Sequence, residues 1–518
     1  MAVTTTYPGV YLSEIPSGSR TITGVSTSLT AFIGPALRGP VNEPVPIASF
    51  ADFERTFGGL WRSSGLGYAV RDFYLNGGGA AIIVRVAHGA DAVPERNAAT
   101  AALDAGGLGL RATGPGAWAN TLRATVTYPN PAEAKEIAAA QGVNADDLFS
   151  LVIQESDAAG SPAETFLNLT VVDGPRRADV VLAASQLVDP AGALPTDRPI
   201  VGTYTVGDSG AGRDGAPPGA ADYAGDESTK TGLYALLKAD LFNILCIPPP
   251  TPASDLPDSL WATAAGFCAE HRAFLVVDPP STATIDTITG WVTSDAALTG
   301  MNTRNAAVYF PRIRRPDPLR GGAVGDFAAC GAIAGTYART DGSRGVWKAP
   351  AGIEAGLAGA NGLTVPLTDA ENGRLNPAGI NCLRTFRGVG TVVWGSRTLR
   401  GADALTDEYK YIPVRRLALF IEETLYRNTQ WVVFEPNDEP LWAQIRASIG
   451  AFLQDMFRKG AFQGTTPRDA YYIRCDADTT TQYDIDRGIV NILVGFAPLK
   501  PAEFVVIGIQ QKAASATA

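Results

Sequence analysis

The sequence predicts a multidomain chain of mixed α/β and α+β type. Three observations carry that prediction. In the middle of the chain, short apolar runs that end in proline alternate with a helical pattern. A long acidic span interrupts that pattern before it is complete. The last third changes to two long amphipathic helices followed by short strands.

The first element is TYPGVYLSEI, residues 6–15. Val10, Leu12 and Ile15 sit among β-favouring residues, and the Pro8-Gly9 pair excludes a helix through the first turn. A strand here has no partner nearby in sequence. The run GGGAA at residues 77–81 precedes a strand and lacks a downstream Gly-Lys-Ser/Thr, so it reads as a tight turn and not as a phosphate cradle. The strand it leads into is AAIIVRVA, residues 80–87.

From Asp91 to Lys230 there are 19 acidic residues against 9 basic ones, which accounts for the whole net charge of -10. That asymmetry marks 91–230 as a separate, largely solvated unit. Its GDSG tetrapeptide, residues 207–210, is similar on its face to the nucleophile region of chymotrypsin-like proteases. It lies in a glycine-rich loop without a disulfide framework or a suitable histidine, so it reads as loop chemistry.

LFNILCIP (241–248), AFLVVDPP (273–280) and NAAVYFPRI (305–313) read as buried strands. Between the first two, LPDSLWATAAGFCAEHR places Leu260, Ala264, Phe267 and Cys268 on one helical face, and His271 at the helix end, where the dipole favours it. The β-α-β order predicts a partly parallel sheet, joined by residues 80–87. PRIRRPDPLR, with Arg312, Arg314, Arg315 and Arg320, lacks interleaved aromatics. It reads as a loop pairing with acidic groups of its own or a neighbouring chain, not as a nucleic-acid contact.

VRRLALFIEETLYRN spaces Val414, Leu417, Ile421 and Leu425 helically, and DEPLWAQIRASIGAFLQDMFRKG does the same for Leu441, Ile445, Ile449, Phe452 and Met456. Asp438 is the expected cap, Pro440 belongs to the first turn and Gly460 is the stop. Strands follow at AYYIRC (470–475), GIVNILVGF (488–496) and EFVVIGIQQ (503–511), so the chain ends, as it begins, on an isolated strand.

With 46% apolar and 18% charged residues, the 518-residue chain is ordinary globular protein, and 56 Gly and 36 Pro imply many turns. Five scattered cysteines without a CxxC pair read as reduced structural thiols. Two histidines leave little material for histidine metal sites or acid/base chemistry, and no cofactor is expected. The absence of a signal-peptide pattern and of a stretch of about 18 apolar residues predicts a chain kept in the cytoplasm at first.

TYPGVYLSEI is followed by STSLTAFIGPALRGPVNEPVPIASFADFERTFGG (26–59), with the Gly34-Pro35 strand exit and a helix over residues 53–57. GVWKAPAG (345–352), LNPAGINCLRTFRGVGTVVWGSRTL (375–399) and NTQWVVFEPNDEPLWAQIRASIGAFLQDMFRKGAFQG (428–464) come later in the same order. In these blocks the sequence resembles the contractile tail sheath proteins of phages and of phage-derived injection systems. The likeness covers residues 1 to about 90 and about 230 to 518, and residues 91–230 carry least of it.

The resemblance implies an inner α+β domain completed by strands exchanged between subunits, an α/β middle domain and an inserted outer domain. The matching spans are an N-terminal exchange arm at 1–20, a middle domain at 21–90 and 231–370, an acidic outward-facing insertion at 91–230, an inner tube-facing domain at 371–500 and a C-terminal exchange arm at 501–518. Intersubunit residues carried over in this way are Tyr7, Val10, Tyr11, Leu12 and Ile15 in the first arm, and Phe504, Val505, Val506, Ile507 and Ile509 in the second. Hinges fall at 16–19 and 498–501. On the helix spanning 441–459, the apolar stripe reads as core, and Arg446, Asp455, Arg458 and Lys459 are the candidate tube-facing residues.

The implied function is structural and non-enzymatic. Copies stack as hexameric rings around an inner tube, anchored to a baseplate and closed by terminator or cap proteins, and contraction drives the tube through a target membrane. No nucleic acid is bound directly and no direct membrane insertion is implied; assembly takes place in the cytoplasm, as part of a phage tail or phage-like particle. Two other classes stay in view: a different self-assembling shell or surface-layer protein, which the terminal strands also allow, and a cytoplasmic α/β enzyme.

Overall fold

A computed structural model describes residues 20–89, 91–156 and 163–508. The chain forms two compact units, one of Ser28–Ser343 with Pro350–Ile412, the other of Met1–Thr27, Arg344–Ala349 and Pro413–Ala518.

The larger unit is built on an eight-stranded sheet. In spatial order its strands are Gly390–Val393, Ile380–Phe386, Ala306–Phe310, Phe274–Val277, Ile244–Cys246, Thr30–Gly34, Ala81–Arg85 and Pro44–Ile47. The six inner strands pair in parallel, and each outermost strand is antiparallel to its neighbour. Thr30–Gly34, Phe274–Val277 and Ala306–Phe310 are buried at every position, because helices cover both faces of a parallel sheet. The three proline-terminated runs and residues 80–87 are therefore the strands that the sequence predicts.

Helix Ser259–Glu270 buries Leu260, Ala264, Phe267 and Cys268, and His271 caps its C-terminus. Helix Phe50–Phe57 starts on Ser49, whose hydroxyl accepts from the Asp52 amide at 3.1 Å, and stops at Gly58 in the left-handed region. Two helices of this unit come unusually close. A Cβ on Gly331 of helix Cys330–Arg344 would lie 2.0 Å from the Ala69 carbonyl oxygen of helix Leu66–Leu75, and one on Gly335 would lie 2.4 Å from that of Phe73.

The chain leaves the sheet after Ala81–Arg85 and returns at Ile244–Cys246, on the far side of Thr30–Gly34. The acidic span is that excursion. It holds an antiparallel sheet of Gly202–Thr205, Arg123–Thr127, Phe149–Gln154 and Ala163–Leu169, and another of Ala102–Ala105, Leu108–Ala112 and Val188–Pro190. Leu110, Trp118, Leu151 and Leu182 belong to a core of its own. It stays within the larger unit through polar ties at its base. The buried Arg85 guanidinium donates to the carbonyls of Ala36, Gly39 and Pro115 at 3.0, 2.6 and 2.6 Å, and burial pushes its pKa down to about 10. Arg38 is paired with Glu155.

His88 joins the two ends of the excursion. Its Nδ1 lies 2.8 Å from an Asp222 carboxylate oxygen and its Nε2 lies 3.3 Å from one of Asp91, which also pairs with Arg96 at 3.1 Å. The bond to Asp222 and the neighbouring charges raise the imidazole pKa.

Two boundaries differ from the sequence reading. Residues 371–412 were expected with the C-terminal helices, but Ile380–Phe386 pairs in parallel with Ala306–Phe310 and so belongs to the large sheet. Residues 21–27 were expected in the α/β domain, but with Arg20 they lie along the helices of the smaller unit. There the Arg20 amide donates to the Ser448 hydroxyl at 3.1 Å, the Val25 amide to that of Thr424 at 3.3 Å, and Arg416 to the Thr27 carbonyl at 2.9 Å. Both shifts arise from long-range pairing that no local pattern encodes.

Candidate assembly surfaces

The smaller unit packs helix Ile412–Asn428 against helix Glu439–Arg458. Leu417 and Ile421 of the first meet Leu441, Ile445, Ile449, Phe452 and Met456 of the second in one core. Asp438 caps the second helix and Gly460 ends it at a φ of 77°. The apolar stripe is core, as its spacing implies.

That helix leaves a narrow outer face of Ala443, Gln444, Ala447, Ala451 and Asp455, with Arg458 and Lys459 at its end. Asp455 and Lys459 pair at 2.6 Å while both stay more than half exposed. Arg446 differs from the other three charged candidates. Its guanidinium is engaged by the Cys475 carbonyl and the Glu439 carboxylate, so it is held as a structural group at the rim of the unit.

Beside the helices lies a ribbon of two antiparallel strands, Tyr471–Arg474 and Leu493–Phe496. Among the described residues neither strand has a second strand neighbour. A two-stranded ribbon is marginal by itself and presents two rows of unpaired backbone groups. The strand expected over 488–496 is thus shorter than its apolar run.

Residues 503–508 form no strand within the chain. Phe504, Val505, Val506 and Ile507 are 74, 81, 94 and 78% exposed, a degree of exposure unusual for four consecutive large apolar side chains. Ile509, and with it Tyr7, Val10, Tyr11, Leu12 and Ile15, lie outside the described residues.

The carboxyl end of the parallel sheet is where open α/β folds bind ligands, at the point where strand order reverses. Here that point lies between Thr30–Gly34 and Ile244–Cys246. Asp278, at the end of its strand, accepts from the amides of Ala329 and Cys330 at 2.9 and 3.1 Å, at the N-terminus of helix Cys330–Arg344. A carboxylate of the protein thereby sits where such a helix would hold an anion. The Gly65 amide donates to the Pro250 carbonyl at 3.2 Å across the strand ends. The cavity left beside Asp278, Arg312 and Trp261 is about 10 Å³, room for one water.

The arginine cluster divides. Arg315 forms a buried pair with Asp72, Arg312 pairs with Asp255, and Arg314 meets Asp326 at 3.0 Å on the surface. Burial outweighs the guanidinium beside Asp72 and raises its carboxyl pKa to about 6. All five cysteines are buried and free. No helix among the described residues is long and apolar enough to cross a membrane, and none of their His, Cys, Asp and Glu side chains cluster as a metal site would require.

One feature had no signal in the sequence. Phe434 is fully exposed and holds a φ of 70°, a conformation that depends on the turn around it and not on its residue type.

Comparison with known proteins places these surfaces in a family. The model of the phage tail sheath protein central domain matches residues 220–399 and that of the phage tail sheath C-terminal domain matches residues 405–512. The tail sheath protein of Vibrio phage KVP40 is 29% identical over 178 residues, covering 34% of this chain and 25% of that protein. The tail sheath protein of Enterobacteria phage T4 is 25% identical over 250 residues, covering 46% and 34%. The chain thus aligns with a quarter to a third of the length of these curated relatives.

Among solved structures, the sheath complex of an extracellular contractile injection system in its contracted state matches over 99% of both chains at a TM-score of 0.57 and 22% identity. The sheath tail protein of Listeria innocua covers 92% of this chain and 96% of its own, at a TM-score of 0.59 and 14% identity. These likenesses carry the fold. The two family models together span more than half of the sequence, and the chain belongs to the phage tail sheath family.

Proposed function

We propose that this chain is the polymerising subunit of a contractile sheath. Copies stack as hexameric rings around an inner tube, between a baseplate and a terminator or cap. The observation that carries the reading is the ribbon of Tyr471–Arg474 and Leu493–Phe496, whose two edges have no strand partner among the described residues, in the same unit that holds the exposed C-terminal segment. Strands supplied by residues 7–15 and 504–510 of neighbouring copies would satisfy those edges by β-augmentation. The arms would stay paired while their hinges let the bodies move.

The work of contraction comes from the free-energy difference between two packings of identical subunits, so no chemical step in the chain is needed. The Asp278 carboxylate, held by the Ala329 and Cys330 amides where the N-terminus of helix Cys330–Arg344 would otherwise take an anion, supports a structural and not a catalytic role. The exposed face of helix Glu439–Arg458, with Asp455, Arg458 and Lys459, is the surface we assign to the inner tube; Arg446 contributes through its fixed bonds. The acidic excursion is the part that faces outward. Assembly takes place in the cytoplasm, before release of the particle.

Negative-stain electron microscopy of the full chain beside a deletion of residues 1–15 tests this. Hollow ridged tubes from the full chain alone are expected. Tubes from the deletion would refute arm exchange, and sheets in place of tubes would favour a surface-layer protein.

A further inference from the structure

The loop that joins the two long helices of the smaller unit presents Phe434 and Glu435 to solvent. Phe434 is 102% exposed. Its φ of 70° is costly for a bulky residue, and no intramolecular burial offsets that cost. The turn is nonetheless fixed on both sides. Arg20 stacks 4.8 Å over the Trp431 ring, and Asn437 donates to the Ile489 carbonyl while accepting from the Trp442 indole, both at 2.9 Å. An exposed aromatic on a pre-organised turn has the properties of an interface anchor.

The larger unit carries a complementary feature. An open groove of about 740 Å³ runs beside strand Ala323–Phe327, an edge strand of a three-stranded sheet. Val324, 58% exposed, and Phe327 give it an apolar floor. Its arginines are unequally used. Arg312 and Arg314 have carboxylate partners, whereas Arg62 donates to the Leu319 carbonyl and Arg320 has no acidic partner among the described residues. Four arginines and two carboxylates, Asp317 and Asp326, line the groove, which is thus a partly apolar slot of net positive charge on a chain of net charge -10, and the loop offers an aromatic ring next to a carboxylate.

We infer that the Phe434–Glu435 turn of one copy docks into this groove on a second copy, with the ring on Val324 and Phe327 and the carboxylate on Arg320 and Arg62. The inference rests on the self-assembly reading above and names a contact for it that is separate from the arms. Each half alone is under-satisfied; together they bury an aromatic and pair two charges.

The test uses full-length protein in a sedimentation assay of assembly, with Phe434→Ala, Glu435→Arg, Arg320→Glu and the Glu435→Arg/Arg320→Glu double variant. All three sites are exposed, so the monomers fold alike. Each single change is expected to reduce the assembled fraction about fivefold or more, and the charge-swapped double to recover most of it. Single variants that assemble like the unaltered chain overturn the contact and leave the sheath reading intact. Loss with Phe434→Ala but not with Arg320→Glu, or a double variant without recovery, overturns the pairing and assigns Phe434 to a different contact between copies. An unaltered chain that stays monomeric overturns the self-assembly reading and this contact with it.

Discussion

Removal of residues 504–518 separates folding from assembly. Phe504, Val505, Val506 and Ile507 are 74–94% exposed, so their loss removes almost no buried area from the monomer. Its melting temperature should stay within about 1 °C of that of the full chain. In the lattice the same residues would form a strand on a neighbour's ribbon.

Strand alternation buries two of the four side chains, about 2 kcal/mol each. Four backbone hydrogen bonds add about 1 kcal/mol each. Ordering four residues costs about 5 kcal/mol. The remainder, about 3 kcal/mol, is about a hundredfold in each intersubunit equilibrium. Because every subunit loses it, tubes should vanish at concentrations where the full chain forms them. Calorimetry of the monomer and electron microscopy of the concentrated protein read the two halves. Persistent tubes, or a melting temperature lower by more than a few degrees, would refute the reasoning.

Ile449, 1% exposed between the two long helices, should cost about 2–5 kcal/mol as Ile449→Ala in urea denaturation of the smaller unit's transition. Breaking the buried Arg315–Asp72 pair with Asp72→Ala should cost about 3–5 kcal/mol, whereas the joint change to Asp72→Leu and Arg315→Met should cost much less, as thermal denaturation would report. His88 has a pKa raised above 6.5 by Asp222 and Asp91, so its protonated form stabilises the base of the acidic excursion. That contribution is complete below about pH 6.5 and lost as pH rises through the folded value; an NMR titration should give a midpoint above 6.5, and His88→Gln should flatten the pH dependence of stability.

Much of the architecture is legible in the residues. The apolar runs ending in Pro248, Pro279 and Pro311 are buried parallel strands, because a strand covered on both faces has no polar positions to betray its register. The stripe from Leu441 to Met456 is core for the complementary reason, a period of 3.6 with one dry face. Three of the four arginines of the cluster, Arg312, Arg314 and Arg315, pair with carboxylates as their context implies, but Arg314 and Arg315 lie on strand Ile313–Asp317 and not in a loop, and which partner each takes is not readable in the sequence. Asp72 lies far from Arg315 in sequence, and Asp255 far from Arg312.

By itself, then, the sequence determines the order of elements, their buried faces, the acidic excursion and the family to which its blocks are similar. These are local properties, set by side-chain period, turn chemistry and charge. Tertiary structure decides that Ile380–Phe386 is the sixth parallel strand, that residues 20–27 lie with the C-terminal helices, that Asp278 fills the anion position, and that Phe434 stands free beside Glu435. Each of these depends on hydrogen bonds or backbone angles fixed by residues distant along the chain, which no window of sequence contains.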